Sequence, residues 1–322
     1  MTEFIHVQDL SKRFTVRKKR EKGALLREKE EVQALRDVSF EIEQGELIGY
    51  IGPNGAGKST TVKILSGIMT PDGGEVRVGG QVPWRDRKNY VRRVGVVFGQ
   101  RMQLWWDVPI LDSYSLLRDV YRLPEDAYQK RLSELTEALA LGDILRTPLR
   151  QLSLGQRMRA ELCGSLLHRP GLLSLDEPTI GLDAVSKLAL RDFLRWENRE
   201  YGTTILLTTH DMEDIAALCS RVMVLGHGRM RYDGELPALL ARYDTSRTVT
   251  VRFEDPKAEP ELPAGTLLTR EGDLVKVVYS PQELPTPELV ARLQQTGQIR
   301  EMTIQPQNID HMIATMYREM DL

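Results

Sequence analysis

The run Gly52-Pro53-Asn54-Gly55-Ala56-Gly57-Lys58-Ser59-Thr60 is built to hold phosphate. It fits the spacing G-x-x-x-x-G-K-[ST] without a mismatch. Its glycines let the backbone wrap closely, so that consecutive N–H groups point at phosphate oxygens. A helix starting at its end adds about half a positive charge. Lys58 can reach the β- and γ-phosphates, and the Ser59 hydroxyl can ligate Mg²⁺. A ligand-free strand–helix turn would give no packing reason for the Lys-Ser pair. The motif implies a nucleotide-binding loop and leaves the kind of protein open.

Downstream, Leu172-Leu-Ser-Leu-Asp176-Glu177 sets two carboxylates at the end of an apolar run. Asp176 can hold a Mg²⁺ shell, and Glu177 can polarise an attacking water. Alone, the two acids could simply end a strand and open a turn before Pro178. Behind a phosphate loop they read as a catalytic pair, because phosphoryl transfer depends mainly on placement and charge. His210 closes the strand candidate 204–209, where its imidazole can hydrogen-bond a γ-phosphate. A lone histidine there would read as structural; the company of the other sites reverses that. Ser153 and Gly155 of Leu152-Ser-Leu-Gly-Gln156 stand at a helix start and offer a second anion site. The plain alternative is an N-capped helix with Ser153 as cap.

These groups need elements to position them. Strand-like and helix-like patches alternate from Phe4 to about Leu225, the pattern of an α/β domain. Apolar runs at 47–51, 172–175 and 204–209 suit a parallel sheet covered on both faces. Between about 104 and 170 the pattern turns helical, with Leu116, Val120 and Leu123, then Leu132, Leu135 and Leu139, at helical spacing. The composition shifts near Asp244. Strand candidates at 248–253 and 274–279 follow, then a helix at 287–296, a strand at 299–304 and an amphipathic helix with Ile309, Ile313, Met316, Tyr317 and Met320. Thr286 reads as that first helix's N-cap, Pro287 as its first residue and Gly297 as its stop. The expected domains are residues 1–240, with a helical subdomain at about 104–170, and a small α+β accessory domain at 241–322.

Composition bounds the function. The chain has 322 residues, and its 44 Lys and Arg face 46 Asp and Glu, which argues against a surface built to grip nucleic acid. Two cysteines, Cys163 and Cys219, exclude a disulfide scaffold and fit a reducing compartment. With no metal-like spacing, both read as buried packing residues. The N-terminus does not read as a signal peptide, and no apolar run approaches the ~18–20 residues that span a bilayer. A membrane role would come through a partner.

Taken in order, residues 52–59, Gln100, Leu152–Gln156, Asp176-Glu177, Gly181-Leu182-Asp183 and His210 resemble the ABC ATPase family over about residues 3–240. The resemblance implies a P-loop NTPase fold of the ABC type, with ATP and Mg²⁺ as cofactors. It implies that Gln100 senses Mg²⁺ and the attacking water, that Glu177 is the catalytic base, and that Asp183 forms a loop crossing between subunits. Two copies would bind head to tail, Ser153, Gly155 and Gln156 of one closing over the ATP of the other. The chain departs from the family pattern at Leu154, where Gly is usual, and at Ser174 in the strand before Asp176. The adenine-stacking aromatic is Phe14 on this reading, displaced from the loop by a stretch at 17–31 that looks inserted; core packing is its alternative.

Among ABC ATPases the chain most resembles the subunits of ABC-2-type exporters. The likeness rests on Val-Val-Phe-Gly-Gln100, on Leu152-Ser-Leu-Gly-Gln-Arg-Met-Arg159 and on the small C-terminal domain. It implies separate permease subunits and a cytoplasmic location on the inner face of the membrane. Trp105 and Trp106 follow Gln100, in the segment that faces the permease in this family. They are contact anchors on one reading and plugs of the helical subdomain on the other. The basic stretch at 12–22 reads as a solvated hairpin extension or as an arm near anionic lipid. A soluble ATPase acting on nucleic acid or ribosomes, or an importer ATPase, are the alternatives.

Overall fold

The computed structural model describes residues 3–17, 29–99, 102–243, 246–255, 257–258, 260–263, 266–307 and 309–320. Gln100 and the part of the basic stretch at 18–22 lie outside the described residues. The chain divides into two compact units, Met1–Leu236 with Met320–Leu322, and Pro237–Glu319.

The first unit opens with β1 (Glu3–Arg17), β2 (Lys29–Glu43), β3 (Leu47–Ile51), α1 (Lys58–Leu65), β4 (Gly73–Val78), the short α2 (Arg87–Tyr90) and β5 (Val94–Phe98). Helices α3 (Ile110–Tyr121), α4 (Glu125–Ala138) and α5 (Leu154–Leu166) follow. The unit returns to alternation with β6 (Leu172–Asp176), α6 (Ala184–Tyr201), β7 (Thr204–Thr208), α7 (Met212–Leu218), β8 (Arg221–Gly226) and β9 (Arg229–Glu235), and α8 (Leu236–Tyr243) begins where it ends. Among the described residues the main sheet runs β5-β6-β7-β3-β8-β9, parallel except for the β8–β9 pair. Its central strands are mostly apolar because both faces are covered; Ile48, Tyr50, Leu173, Leu175, Ile205 and Leu206 are buried, and so is the polar Ser174. A smaller antiparallel sheet, β2-β1-β4, carries Ile5, Val7, Leu10, Phe40 and Val76 into the same core.

The helical segment expected at 104–170 is present as α3, α4 and α5. Leu132, Leu135 and Leu139 are buried, but Leu116 and Val120 are 42% and 59% exposed. The buried face of α3 is instead Ile110, Ser113, Tyr114 and Leu117. The helical period at 116 and 120 was real and marked the face away from the core. Arg122, at φ 55, then turns the chain out of the helix before Pro124 caps α4.

A buried ion pair joins this segment to the sheet domain. Arg131 of α4 and Glu197 of α6 are both 1% exposed, with Arg131 Nη2 donating to both Glu197 oxygens at 2.8 Å. Arg131 Nε also donates to the Leu166 carbonyl at 3.3 Å, and the Thr203 hydroxyl donates to Glu197 at 3.0 Å. The Tyr201 ring lies 4.1 Å from the guanidinium carbon. Close by in sequence, His168 stacks on Tyr121 at 4.0 Å and its Nε2 donates to the Val94 carbonyl at 3.1 Å. Cys163 and Cys219 are both buried, and burial pushes the Cys163 thiol up to about 12.

The second unit holds β10 (Arg247–Phe253), β11 (Leu267–Glu271), β12 (Leu274–Tyr279), α9 (Thr286–Thr296), β13 (Ile299–Pro306) and α10 (Ile309–Glu319). Its antiparallel sheet runs β11-β12-β10-β13. Val249, Val251 and Phe253 alternate with exposed or half-exposed neighbours on β10, as do Val275, Val277 and Tyr279 on β12, and both sets pack with Leu289 and Leu293 of α9. Thr286 is the first helical residue, not the cap. Pro285 holds the cap position, Pro287 falls in the second position, and the Thr286 hydroxyl pairs with Tyr279 Oη at 2.6 Å. Strand β11 was not expected. Every residue of it is exposed, so it carries no alternation to read.

Two outcomes follow from this packing. Arg131→Met should cost about 3–5 kcal/mol in a urea denaturation, because it strands the Glu197 charge in the interior, and adding Glu197→Leu should recover most of the loss. Burial pushes the His168 pKa from 6.5 to about 4. The unfolded chain therefore takes up a proton that the folded chain refuses, and stability should fall as pH drops through that window. His168→Phe should flatten this part of the acid limb of the urea midpoint measured against pH.

Candidate functional site

Strand β3 ends at Ile51, and the phosphate loop leaves it at once. Gly52, Gly55 and Gly57 all have positive φ, of 152°, 83° and 111°. At two of these positions no side chain fits. A Cβ on Gly52 would stand 2.1 Å from the Leu225 carbonyl oxygen, and one on Gly57 would stand 2.5 Å from that of Ala34. The loop is thus pressed between β8 and β2, which fixes its curvature. Helix α1 starts directly behind it at Lys58, with Gly57 as its cap.

Lys58 is nearly buried at 8% exposure. Its ammonium donates to the loop carbonyls of Gly52 at 2.6 Å and Pro53 at 3.1 Å. Burial pushes its pKa down, and the neighbouring charges of Glu177 and Asp176 oppose that shift. A triphosphate in the loop would place negative charge beside this ammonium and favour its charged form.

The acids come from β6 and are held by β7. Asp176 pairs in register with Thr208, whose hydroxyl donates to Asp176 Oδ1 at 2.5 Å. The Ser59 hydroxyl donates to the same oxygen at 3.3 Å. A serine hydroxyl and a carboxylate are hard oxygen donors of the kind Mg²⁺ takes alongside substrate phosphates and water, so this pair fits a Mg²⁺ site. Glu177 sits at φ 57°, a left-handed conformation uncommon for a non-glycine residue. Its backbone N–H donates to the Thr208 carbonyl at 2.9 Å. Its carboxylate lies 2.8 Å from His210 Nδ1, which must be the donor, leaving Nε2 free. His210 is 64% exposed and Glu177 24%.

Asn54, Gly55, Ala56, Gly57, Lys58, Ser59, Thr60, Asp176 and Glu177 line one cleft of about 490 Å³. Three adjacent strands, β6, β7 and β3, therefore deliver the loop, both acids and the histidine to the same carboxyl edge of the sheet. Sequence reasoning missed Thr208, although a threonine ending a strand beside an acid-ended strand was the signal available. It also missed Ala34, Lys63, Ile68 and Phe98 in the cleft wall. Phe14 does not line the cleft. It lies on β1 opposite Val32, with Lys12 Nζ 5.8 Å from its ring centroid.

The remaining predicted residues form a second constellation. Ser153 caps α5 as expected, and the cap is reciprocal: its hydroxyl accepts the Gln156 N–H at 3.3 Å, while its own N–H donates to Gln156 Oε1 at 2.9 Å. Gly155 packs on Ser186, and Leu154 packs on Gly181. Asp183 caps α6 by accepting the N–H and the hydroxyl of Ser186, both at 2.9 Å, which holds its carboxyl below the usual range. The signature run and the Asp183 loop thus support one another, and neither lines the cleft of its own chain.

The family profile described as ABC transporter matches residues 35–180. The methionine import ATP-binding protein MetN 2 of Enterococcus faecalis is 28% identical over 285 residues, covering 85% of this chain and 81% of the relative. The linearmycin resistance ATP-binding protein LnrL of Bacillus subtilis is 32% identical over 219 residues, covering 67% of this chain and 70% of the relative. Among solved structures, a dimeric ATP-binding cassette in a post-hydrolysis state bound to ADP and Pi is 25% identical, with a TM-score of 0.61 over 72% of this chain and 98% of that one. With a nucleotide loop, paired acids and a histidine converging on one sheet edge, and with these relatives beside it, the chain belongs to the ABC transporter family as an ATP-binding, ATP-hydrolysing subunit.

Proposed function

We propose that the chain powers an ABC-2-type exporter, using Mg²⁺ and ATP to drive substrate through separate permease subunits. The observation that carries its chemistry is the cleft itself, where Lys58, Ser59, Asp176 and Glu177 converge. In this reading Ser59 and Asp176 hold Mg²⁺ with Gln100, and Glu177 draws the proton from the attacking water. His210 steers Glu177 through Nδ1 and turns Nε2 toward the γ-phosphate. Phe14 stands outside the lining of its own cleft, on β1 opposite Val32 and so beside the strand whose Ala34 lines it, and on this reading it is the aromatic face offered to adenine.

The site is half of a pair. Ser153, Gly155, Gln156 and Asp183 stand away from their own chain's cleft, which supports a head-to-tail homodimer in which they close over the partner's ATP. The dimeric cassette among the relatives supports the same arrangement. Trp105 and Trp106 are 44% and 47% exposed, which favours contact anchors over plugs and suits a permease contact. No helix among the described residues is long and apolar enough to cross a membrane. On the transporter reading the chain sits on the inner face of the membrane through its permease subunits.

Export rests on the family segments around Gln100 and Leu152–Gln156, and on the resistance function named for one relative. Import is the second reading. It is favoured by MetN 2, whose match over 85% of the chain is longer than the Met1–Leu236 unit. Capture of the permease from detergent-solubilised membranes, followed by ATP-driven flux in inside-out vesicles, separates them. Accumulation inside the vesicles means export, and loss from preloaded vesicles means import. Recovery of ribosomes or DNA in place of a polytopic partner would overturn both.

Two variants test the chemistry. Glu177→Gln should lower ATP hydrolysis by about 10²–10⁴ while ATP still binds, read by phosphate release and by equilibrium binding. Near-parental turnover would remove Glu177 as the base. Lys58→Ala should weaken ATP binding by about tenfold or more, because it removes a charge aimed at the phosphates. Unchanged affinity would count against the loop assignment.

A further inference from the structure

A buried carboxylate fastens the segment after Gln100 to helix α5. Glu161 is 2% exposed, and its oxygens accept the backbone N–H of Gln103 at 3.0 and 3.1 Å and that of Leu104 at 3.1 Å. The Gln103 side-chain amide donates back to the Glu161 carbonyl at 3.1 Å. One turn on, Gly164 lets the segment lie against the helix. A Cβ there would stand 3.0 Å from Leu104 Cδ2 and 3.4 Å from Gln103 Nε2. One turn back, the Arg157 guanidinium carbon lies 4.6 Å from the Trp106 ring centroid. Arg157, Glu161 and Gly164 follow the i, i+4, i+7 spacing of a single helix face. The N-terminal end of that helix carries Ser153.

We propose that Glu161 is a positioning residue: it clamps residues 103–106 to α5, so that Ser153 at the helix start and the exposed Trp105–Trp106 pair move as one body. Packing alone gives no reason for a charge here. Burial pushes the Glu161 carboxyl up to about 7, so holding it ionised works against stability. The carboxylate brings two acceptor oxygens, which meet two consecutive N–H donors. A glutamine would offer one acceptor and set its own N–H₂ against a backbone N–H.

The clamp rests on the transporter reading for its purpose, and on the hydrogen bonds alone for its existence. In the nucleotide-free parent, the Gln103 and Leu104 amides should exchange hydrogen as slowly as those in the middle of α5. Solvent-like exchange there would overturn the proposal. Glu161→Gln should speed exchange at 103–104 by about tenfold or more, the loss expected for a charge-assisted hydrogen bond. It should lower kcat for ATP about tenfold while KM stays within about twofold, since the phosphate loop is untouched. Its far-UV circular dichroism at pH 8 should match the parent's, so that the change is read in a folded chain. Parental exchange and kcat in this variant, or a kcat loss that merely tracks a lost far-UV signal, would sink the clamp. In the Glu177→Gln background, Mg²⁺-ATP should shift exchange at 103–104 and at 160–164 together; a shift confined to one of them also counts against it. A parent chain that fails to bind Mg²⁺-ATP speaks against the transporter reading instead, and leaves the nucleotide-free exchange test to decide the clamp.

Discussion

Everything at the site depends on three neighbouring parallel strands that end at one level. Strand β3 releases the phosphate loop, β6 ends in Asp176, and β7 ends in Thr208 just before His210. Parallel pairing forces their carboxyl ends to the same edge, and the register of Asp176 with Thr208 converts that general rule into a hydrogen bond. Chemistry that needs placement more than covalent participation is well served by this constraint. A sheet buried on both faces has little freedom to shift, so the loop and the acids keep their spacing without a long chain of side-chain contacts.

The helical insertion is tied down differently. It is joined to α6 through Arg131 and Glu197, a pair held by several hydrogen bonds and an aromatic face. Such a pair is weak evidence for added stability, because desolvation offsets most of its attraction. What it supplies is direction, since one guanidinium nitrogen reaching both carboxylate oxygens, with Nε on the Leu166 carbonyl, restricts the geometry more than an apolar contact does. Together with the carboxylate of Glu161, it gives the insertion two buried charged anchors, one toward α6 and one toward the segment after Gln100.

Much of this was legible in the residues. The loop at 52–60 and the acid pair could be read because their types have no reason to occur together except for phosphate chemistry. The strands were legible where burial on two faces made them apolar throughout, as in 47–51, or where burial on one face made them alternate, as in 274–279. The reading failed where neither signal operates. Strand β11 is exposed along its whole length and has no pattern. Leu116 and Val120 kept a helical period on the wrong face, because period reports the element and not which side is covered. Thr286 looked like a cap by type, yet its hydroxyl had a tertiary partner in Tyr279, which no local rule reveals. The Glu161 clamp joins residues 57 and 58 positions apart in the chain, and only the folded backbone brings them together.

The two cysteines have a practical bearing on how such motions can be followed. Cys163 is wholly enclosed and Cys219 is 5% exposed, and burial disfavours the thiolate of each. Maleimide and iodoacetamide reagents attack the thiolate, so both native sulfurs should stay silent while the chain is folded. A spin label or dye placed at one engineered surface cysteine would then report from that position alone, with no need to strip out the natural ones and disturb the core they fill.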